Sequence, residues 1–459
     1  MKYISTRNKS KEFSFSEVFV KGLADDGGLF VPNSLKKLTK GELGQLSKLN
    51  YKDLAKKIIY LFTDDFISES ELSNIVDKSY SAFRKDDVVN LIEVGNFKLL
   101  ELFHGPTLAF KDVAMQLIGN FYDYYLKNNN KNLNVIVATS GDTGAAAIDA
   151  IKGKNKMNIF VLHPHNKVST VQRKLMTTTK EKNVFNIAIE GNFDDCQNLL
   201  KSMFSDIEFS SYINMTGVNS INWARIIAQT VYYFYSYFLI KNDDPINFSV
   251  PTGNFGDVYA GYLAKKMGLP INKLVVATNE NDILHQAILN GKYQKKKVFE
   301  TISPSMDIQV ASNFERLIYD LNNFSDVETK EIMNDIKKNG KYIIPIEKVK
   351  KINKDFISAS LNENEILDVI KLVYDKYKII LDPHTAIGYG AIKSLKLKGN
   401  NIVLATAHPS KFPEAINKTI KIKPGLPKEL SYVLEDEENY DIISNNLEEV
   451  KKYIKDKLK

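Results

Sequence analysis

The stretch His104–Asp112, which reads His-Gly-Pro-Thr-Leu-Ala-Phe-Lys-Asp, places one lysine between an apolar run and a predicted helix. Apolar residues recur every four positions after it, which predicts a helix over Val113–Lys127 with Asp112 as its N-cap. Lys111 would then lie near the positive end of a helix dipole and beside apolar side chains, and both surroundings favour the neutral amine. A neutral amine attacks aldehydes, so Lys111 is a candidate for Schiff-base formation. The alternative is a solvated lysine at the flank of a helix.

Two glycine-rich loops that follow predicted strands are candidate anion sites. The strand Asn134–Ala138 leads into Thr139–Gly144, and the strand Asn247–Val250 leads into Pro251–Asp257. Each loop precedes a predicted helix, so its backbone N–H groups can face a ligand at a helix N-terminus. Neither loop has the Gly-Lys-Ser/Thr ending of a P-loop or the full G-x-G-x-x-G fingerprint. One loop could hold a cofactor phosphate and the other a substrate anion, and pyridoxal phosphate carries both a phosphate and an aldehyde.

The alternation of strands and helices from about residue 93 predicts an α/β fold with largely parallel sheets. A third strand, Asn401–Ala405, leads into a loop that begins at Thr406. Residues 1–92 read as a small mixed region, which predicts an N-terminal domain over 1–92 and a catalytic core over 93–459. Within the core, the charged and mostly helical residues 285–375 are predicted to be an insertion or an outer lobe.

Composition narrows the class of protein. With 459 residues, 44% of them hydrophobic and 25% charged, the chain is expected to be globular and soluble. The net charge of +7 comes from dispersed lysines without a nucleic-acid-binding motif. The longest apolar run, Thr230–Ile240, is too short to cross a membrane and predicts a buried helix. We therefore expect neither a nucleic acid nor a membrane as a partner.

The cysteines and histidines of the chain indicate its cellular compartment and whether it has a metal site. The single cysteine, Cys196, excludes an intramolecular disulfide and, together with the lack of a signal peptide, predicts a cytoplasmic location. His163–Asn166 is predicted to be a loop after the strand Asn158–Leu162, and no metal site is expected there.

Seven segments together resemble the threonine synthase family, pyridoxal-phosphate enzymes of the tryptophan-synthase-β-like fold (fold type II). They are Ser5–Arg7, Gly22–Pro32, His104–Asp112, Ala138–Gly144, Asn219–Arg225, Pro251–Asp257 and Ala405–Pro409. The resemblance covers nearly the whole chain, and its long N-terminal region is typical of the longer members. It implies two parallel-sheet lobes and a small N-terminal domain.

The resemblance also implies roles for individual residues. Lys111 would bind the cofactor covalently, and Thr406 would hydrogen-bond the pyridine nitrogen of the cofactor. The residues that line the cofactor would be Gly253, Asn254, Phe255 and Asp257. The first three of these would surround its phosphate. The loop that contains Ser140, Asp142 and Thr143 would contact the substrate carboxylate and the phenolic oxygen of the cofactor. Many relatives have asparagine at position 142, and an aspartate there would be repelled by a phenolate unless it were protonated or turned away.

Asn219–Arg225 is predicted to start a helix. Ser220 and Asn222 near its beginning, with Arg225 one turn further, could receive a substrate anion. The alternative is a capped helix with an exposed arginine. Asp112 is expected to be a helix cap. His104 is expected to be a structural residue, with a position near the site as the alternative.

The implied reaction converts O-phospho-L-homoserine and water to L-threonine and phosphate, the last step of threonine biosynthesis. It combines a γ-elimination with addition of water at the β-carbon, and Lys111 is the expected base. A different lyase on the same scaffold is an alternative, such as an O-phosphothreonine phospho-lyase or a serine/threonine dehydratase. A third hypothesis is that the protein is a non-catalytic phosphate-binding homologue. No obligate protein partner is expected.

Overall fold

The computed structural model describes residues 1–459. Its strands are β1 (Tyr3–Ser5), β2 (Asn8–Phe13), β3 (Phe30–Pro32), β4 (Asn90–Val94), β5 (Phe97–Glu101), β6 (Leu133–Ala138), β7 (Met157–Pro164), β8 (Val184–Glu190), β9 (Met215–Thr216), β10 (Ile246–Pro251), β11 (Ile271–Thr278), β12 (Lys292–Gln294), β13 (Lys341–Ile343), β14 (Phe356–Ser360), β15 (Asn400–Ala405) and β16 (Asp441–Ser444).

The helices are α1 (Phe15–Lys21), α2 (Lys40–Leu46), α3 (Tyr51–Thr63), α4 (Glu69–Tyr80), α5 (Lys111–Asn129), α6 (Asp142–Ile151), α7 (Thr170–Thr177), α8 (Phe193–Ser205), α9 (Ile207–Tyr212), α10 (Trp223–Leu239), α11 (Gly256–Lys266), α12 (Ile283–Asn290), α13 (Phe314–Leu321), α14 (Asp326–Asn339), α15 (Ile346–Asp355), α16 (Glu363–Tyr377), α17 (Pro383–Leu395), α18 (Pro413–Ile420) and α19 (Leu447–Lys457). Short 3₁₀ helices span Pro304–Met306, Pro409–Lys411 and Lys428–Leu434.

The chain folds into two compact units, each made of two sequence segments. Unit 1 comprises Met1–His104 and Ser220–Pro424, and unit 2 comprises Gly105–Asn219 and Gly425–Lys459. Each unit contains its own parallel sheet, which confirms the predicted α/β class with two parallel-sheet lobes. The division into residues 1–92 and 93–459 stays a prediction.

Unit 1 is built on a six-stranded sheet in the order β14-β11-β10-β15-β5-β4. Only the edge pair β4–β5 is antiparallel. Helices α16 and α17 cover the sheet with an apolar core that includes Leu99, Val275 and Val403. Most of residues 285–375 is helical, but Phe356–Ser360 is an edge strand of this sheet. The central strands β10 and β15 are buried from end to end or nearly so, as expected for a sheet covered on both faces.

The N-terminal part of unit 1 contains the three-stranded antiparallel sheet β2-β1-β3 and the helices α1 to α4. Amphipathic sequence patterns at Tyr51–Phe62 and Ser70–Phe83 overlap α3 and α4. The apolar run Thr230–Ile240 belongs to α10, which is buried along most of its length, as predicted. No helix of the structure is both long enough and apolar enough to span a membrane.

Unit 2 has a five-stranded parallel sheet in the order β16-β8-β7-β6-β9. Its core on one face joins Phe160 and Ile187 to helices α8, α9 and α19. The prediction that His163 lies in a loop was wrong, because β7 continues through Pro164. His163 is buried there, and burial lowers its pKa to about 4. A strand end in a covered parallel sheet thus holds a neutral imidazole.

Candidate active site

Lys111 is the first residue of helix α5 in unit 2, so it lies directly at the positive end of the helix dipole. The turn before it contains Leu108 with a φ of 63°, and the N–H of Leu108 donates to the carbonyl of Gly105 at 3.2 Å. Lys111 is 8% exposed. Its Nζ lies 5.2 Å from the centroid of the Phe110 ring. This placement agrees with the prediction that Lys111 lies beside apolar side chains near a helix N-terminus, and it contradicts the alternative of a solvated lysine.

The prediction that Asp112 is the N-cap was wrong. A turn at residues 105–110 leads directly into the helix. Helix α5 therefore begins at Lys111, two residues before the predicted start at Val113, and Asp112 lies within its first turn. The Asp112 carboxylate accepts a hydrogen bond from the Thr107 N–H at 2.8 Å and another from the Thr107 hydroxyl at 2.5 Å. Asp112 therefore holds the loop that precedes Lys111.

Asp142 lies beside Lys111. The Nζ of Lys111 donates to Oδ2 of Asp142 at 3.2 Å, and both side chains are buried. Gln172, in helix α7, donates from Nε2 to Oδ1 of the same carboxylate at 2.7 Å. Since Asp142 is the first residue of α6, the dipole of that helix also favours its ionised form. This arrangement provides a compensating charge for the amine of Lys111.

The loop around Asp142 is ordered by Thr139. Its hydroxyl oxygen accepts hydrogen bonds from the N–H groups of Gly141 at 2.9 Å and Gly144 at 3.0 Å. Gly141 has a φ of 135°, and a Cβ there would lie 2.8 Å from Cδ of Gln172, so both the backbone conformation and the packing require glycine. Ser140 and Thr143 are half-buried in this loop. Unit 2 thus brings Lys111 together with Asp142, and places the other two predicted residues on the same loop as Asp142.

In unit 1, the loop Thr252–Gly256 connects strand β10 to helix α11. The backbone N–H groups of Gly253, Asn254, Phe255 and Gly256 have no hydrogen-bond acceptor within the protein. Unpaired N–H groups at the start of an eleven-residue helix are a suitable site for a phosphate dianion. These residues therefore fit the phosphate group of pyridoxal phosphate.

The backbone of this loop turns sharply at Phe255. Its φ is 64°, a left-handed conformation that costs a residue other than glycine about 1 kcal/mol or more. The Phe255 ring packs against Phe314 and Phe356, with centroids 5.2 and 5.6 Å away. Burial of this ring offsets the backbone strain.

Asp257, the last predicted residue of this loop, turns its carboxylate into the interior of unit 1. Its Oδ1 accepts hydrogen bonds from the hydroxyls of Tyr232 at 2.5 Å and Tyr233 at 2.9 Å. Burial raises the pKa of Asp257 to about 6, although the two hydrogen bonds and the charge of Arg225 act in the opposite direction. The structure thus gives this carboxylate tyrosine partners, and its contact with the cofactor stays a prediction.

Helix α10 begins just after Asn222, as predicted. Oδ1 of Asn222 accepts from the Ala224 N–H at 3.0 Å, and Nδ2 donates to the carbonyl of Phe19 at 2.9 Å, so this side chain is already engaged. Arg225 is only 4% exposed, which contradicts the alternative of an exposed arginine on a capped helix. Burial lowers the pKa of Arg225 to about 10. Ser220 is half-buried just ahead of the helix.

Thr406 follows strand β15, the neighbour of β10 in the sheet. It therefore lies at the same carboxyl edge as the loop Thr252–Gly256. Its N–H donates to the hydroxyl oxygen of Thr385 at 3.3 Å, and the Thr385 hydroxyl donates in turn to Oδ2 of the buried Asp382. The backbone of Thr406 is thus held by the Thr385 hydroxyl.

Several residues of these sites were missed by sequence reasoning. They are Thr139, Gln172, Asn313, Arg316, Asp382 and Thr385, all of which are buried. Gln172, Asn313 and Arg316 support predicted segments from distant positions in the chain, and hydrophobic periodicity reports only neighbours along the chain. A weak signal was available at helix α13, where the polar Arg316 lies among apolar residues and Asn313 immediately precedes the helix.

Three family models match the chain. They are described as "Threonine synthase N terminus" over residues 2–80, "Pyridoxal-phosphate dependent enzyme" over residues 93–342, and "Threonine synthase, C-terminal" over residues 385–454. The middle match and the parallel sheets define a pyridoxal-phosphate-dependent enzyme of fold type II.

Individual relatives narrow this class. The threonine synthase of Pseudomonas aeruginosa is 43% identical, in an alignment that covers 99% of this chain and 98% of the relative. That of Saccharomyces cerevisiae is also 43% identical, with 91% and 89% covered. A solved structure of pyridoxal-phosphate-bound threonine synthase from Brucella melitensis has a TM-score of 0.96 at 42% identity and covers 100% of this chain and 99% of that one. The chain belongs to the threonine synthase family.

Proposed function

We propose that this enzyme converts O-phospho-L-homoserine and water to L-threonine and phosphate, with pyridoxal 5'-phosphate as its cofactor. The names of the relatives support the reaction. The observation that carries the proposal is the loop Thr252–Gly256, whose four unpaired N–H groups match a phosphate.

For the cofactor, we propose roles for residues of each unit separately. In unit 1, Gly253, Asn254 and Phe255 would bind its phosphate through their N–H groups, and the hydroxyl of Thr406 would accept or donate a hydrogen bond at the pyridine nitrogen. In unit 2, Lys111 would bind its aldehyde carbon through Nζ. A hydroxyl is a weaker acid than a carboxyl group, so Thr406 does not place a full proton on the ring as an aspartate partner would.

When bound, pyridoxal phosphate supplies a ring that accepts the electron pair released at the carbon next to the substrate's amino group. The protein's part is to move protons. We infer that Nζ of Lys111 removes the proton from the α-carbon, and that a second proton is lost from the β-carbon as phosphate leaves the γ-carbon. The γ-carbon then gains a proton, the oxygen of water adds to the β-carbon, and Lys111 returns a proton to the α-carbon.

Asp142 would keep the amine of Lys111 in place between these steps. The carboxylate lies 3.2 Å from Nζ and can stabilise the ammonium that forms when Lys111 takes a proton. The half-buried hydroxyls of Ser140 and Thr143 are our candidates for the substrate carboxylate. For the substrate phosphate we propose the segment with Ser220, Asn222 and Arg225.

The experiment that tests the function is a comparison of three substrates with the holoenzyme. O-phospho-L-homoserine should release phosphate and form threonine in equal amounts. O-phosphothreonine and threonine should give neither phosphate nor a keto acid at a comparable rate. Phosphate release from phosphohomoserine without threonine would overturn the proposal, as would faster turnover of either competing substrate.

The role of Lys111 needs a spectroscopic control. Pyridoxal phosphate bound through a lysine absorbs visible light, so the wild-type chain should show such a band and the Lys111→Ala variant should lack it. Lys411→Ala is unsuitable as a comparison because Lys411 is fully buried. The exposed Lys40→Ala is a better matched control and should retain the band.

The compartment is a further proposal. The one cysteine of the chain, Cys196, is buried in helix α8, and burial raises the pKa of its thiol to about 12. A chain with a single unreactive thiol suits a reducing environment. We propose the cytoplasm as its location, and a small-molecule substrate as its partner.

A further inference from the structure

Asn313 joins two loops of unit 1. It is fully buried at the start of helix α13. Its Nδ2 donates to the carbonyl of Asn254 at 3.1 Å and to the carbonyl of Ser220 at 3.2 Å, and its backbone N–H also donates to Asn254 at 3.1 Å. One side chain therefore holds a carbonyl of the phosphate-binding loop and a carbonyl of the segment ahead of α10.

Arg316, one turn further along α13, extends this contact. One guanidinium nitrogen donates to Oδ1 of Asn313, which fixes the orientation of the amide. Another donates to the carbonyl of Ile221 at 2.7 Å, and Nε donates to the carbonyl of Phe30 at 3.1 Å. Arg316 is 1% exposed and also lies over the Trp223 ring, 5.3 Å from its centroid.

Each of these carbonyls belongs to a planar trans peptide, in which the C=O and the following N–H point in opposite directions. A carbonyl held at Asn254 therefore directs the N–H of Phe255 away from α13. Carbonyls held at Ser220 and Ile221 likewise direct the N–H groups of Ile221 and Asn222. None of these three N–H groups has an acceptor within the protein.

We propose that Asn313 and Arg316 are positioning residues that aim the anion-binding N–H groups of both loops, through the carbonyls on the other side of each peptide. The inference rests on the proposed function, in which the loop at 253–255 receives the cofactor phosphate and the segment at 220–222 the substrate anion. N–H donors that are already correctly oriented do not have to be ordered when the anion binds. The anion therefore binds more tightly.

The test compares two aldehydes that differ only in the phosphate. In Asn313→Asp, a carboxylate oxygen replaces the amide nitrogen and faces the carbonyl oxygens of Asn254 and Ser220. Pyridoxal phosphate should then bind at least about tenfold more weakly, as expected when charged groups lose preorganised hydrogen bonds. Pyridoxal, which reaches Lys111 without using the loop, should bind as it does to the wild type. Both affinities are measured from visible absorbance, without turnover.

Asn322→Asp is the matched control. Asn322 is also buried, at the end of the same helix, but its amide contacts Thr329 and Lys348 and neither loop. This variant should leave the ratio of the two affinities unchanged. If Asn313→Asp does not fold, Asn313→Ala carries the test, because it removes the side-chain donor, keeps the backbone bond to Asn254 and adds no charge.

The substrate provides a second readout. Asn313→Ala should raise the KM for O-phospho-L-homoserine more than it lowers kcat, because the segment at 220–222 would bind the substrate before reaction. Equal weakening of both aldehydes, or weakening of neither, would overturn the inference even if the enzyme makes threonine. A wild-type chain that binds neither aldehyde would contradict the proposed function itself, and the inference with it.

Discussion

Nζ of Lys111 lies 3.2 Å from Oδ2 of Asp142, and each residue is the first of its helix. The two helix dipoles act in opposite ways on this pair, since a positive helix end disfavours the ammonium and favours the carboxylate. In the structure the carboxylate of Asp142 therefore has the amine of Lys111 beside it, and how Asp142 contacts the cofactor stays a prediction. Gln172 holds the other carboxylate oxygen, so the pair has a defined geometry.

We expect Asp142→Asn to make the amine of cofactor-free Lys111 more reactive. Loss of a buried opposite charge within 4 Å lowers an amine pKa by about one or more, so the neutral fraction at pH 7 should rise about tenfold. The measurement is the rate at which trinitrobenzenesulfonate modifies Lys111 in the apoprotein, followed by mass spectrometry of its peptide.

Asp149→Asn is the control for this change, because Asp149 lies on the same helix and pairs with Lys152 at 2.6 Å. It should leave the modification rate of Lys111 unaltered. Unchanged or slower labelling in Asp142→Asn would show that the carboxylate does not govern the amine. In the holoenzyme, the same substitution should reduce kcat by about a hundredfold if Asp142 assists proton transfer by Lys111.

A second prediction concerns Gly253. A Cβ at this position would lie 2.8 Å from the carbonyl oxygen of Ser305, which is backbone and cannot rotate away. Gly253→Ala should therefore shift the phosphate-binding loop, lower stability by about 1–3 kcal/mol and weaken pyridoxal phosphate binding. Thermal unfolding and absorbance titration measure the two effects.

The comparison for Gly253→Ala is Gly44→Ala. No atom lies within 4 Å of the corresponding Cβ in helix α2, and alanine is the better helix former by up to about 1 kcal/mol. This variant should be as stable as the wild type or slightly more so. A Gly253→Ala enzyme with wild-type cofactor affinity would mean that the loop tolerates the close approach of Ser305.

Sequence reasoning located the strands well and the helix starts less well. The strands predicted before the two glycine-rich loops differ from β6 by one residue at its start and from β10 by one residue at each end, because a buried parallel strand is a mostly apolar run. Helices α6 and α11 begin two or three residues before the predicted starts. Their first turns contain Asp142 and Gly256, residue types that read as loop, because a first turn makes no intrahelical N–H bonds and tolerates such residues.

The supporting contacts of the site were not predictable from one sequence. Gln172 is 30 positions from Asp142, and Asn313 is 93 positions from Ser220. Such pairs are set by how helices pack after the strands are ordered, and neither hydrophobic periodicity nor motif spacing contains that information. The family resemblance predicted which residues surround the cofactor, whereas the structure supplied the residues that contact them.

The last prediction concerns Asp257 and pH. Burial raises its pKa from the ordinary 3.8 to about 6, so the folded protein binds this proton more tightly than the unfolded chain does. The stabilisation from the protonated carboxyl is present at acidic pH and is lost as pH rises from about 4 to 6. Asp257→Asn should abolish that loss, because an amide keeps Oδ1 as the acceptor for Tyr232 and Tyr233 and never ionises.

The melting temperature of Asp257→Asn should therefore match or fall below the wild-type value at pH 4 and exceed it at pH 8. The gain at pH 8 is at most about 3 kcal/mol, since a change of one in pKa is worth about 1.4 kcal/mol. Loss of the attraction between the carboxylate and Arg225 reduces this gain. The exposed Asp25→Asn variant, in which Asp25 pairs only with Lys21 on the surface, should shift the curve equally at both pH values. A constant difference between Asp257→Asn and wild type across this range would mean that folding does not raise the pKa of Asp257, because the two tyrosine hydrogen bonds and the charge of Arg225 balance its burial.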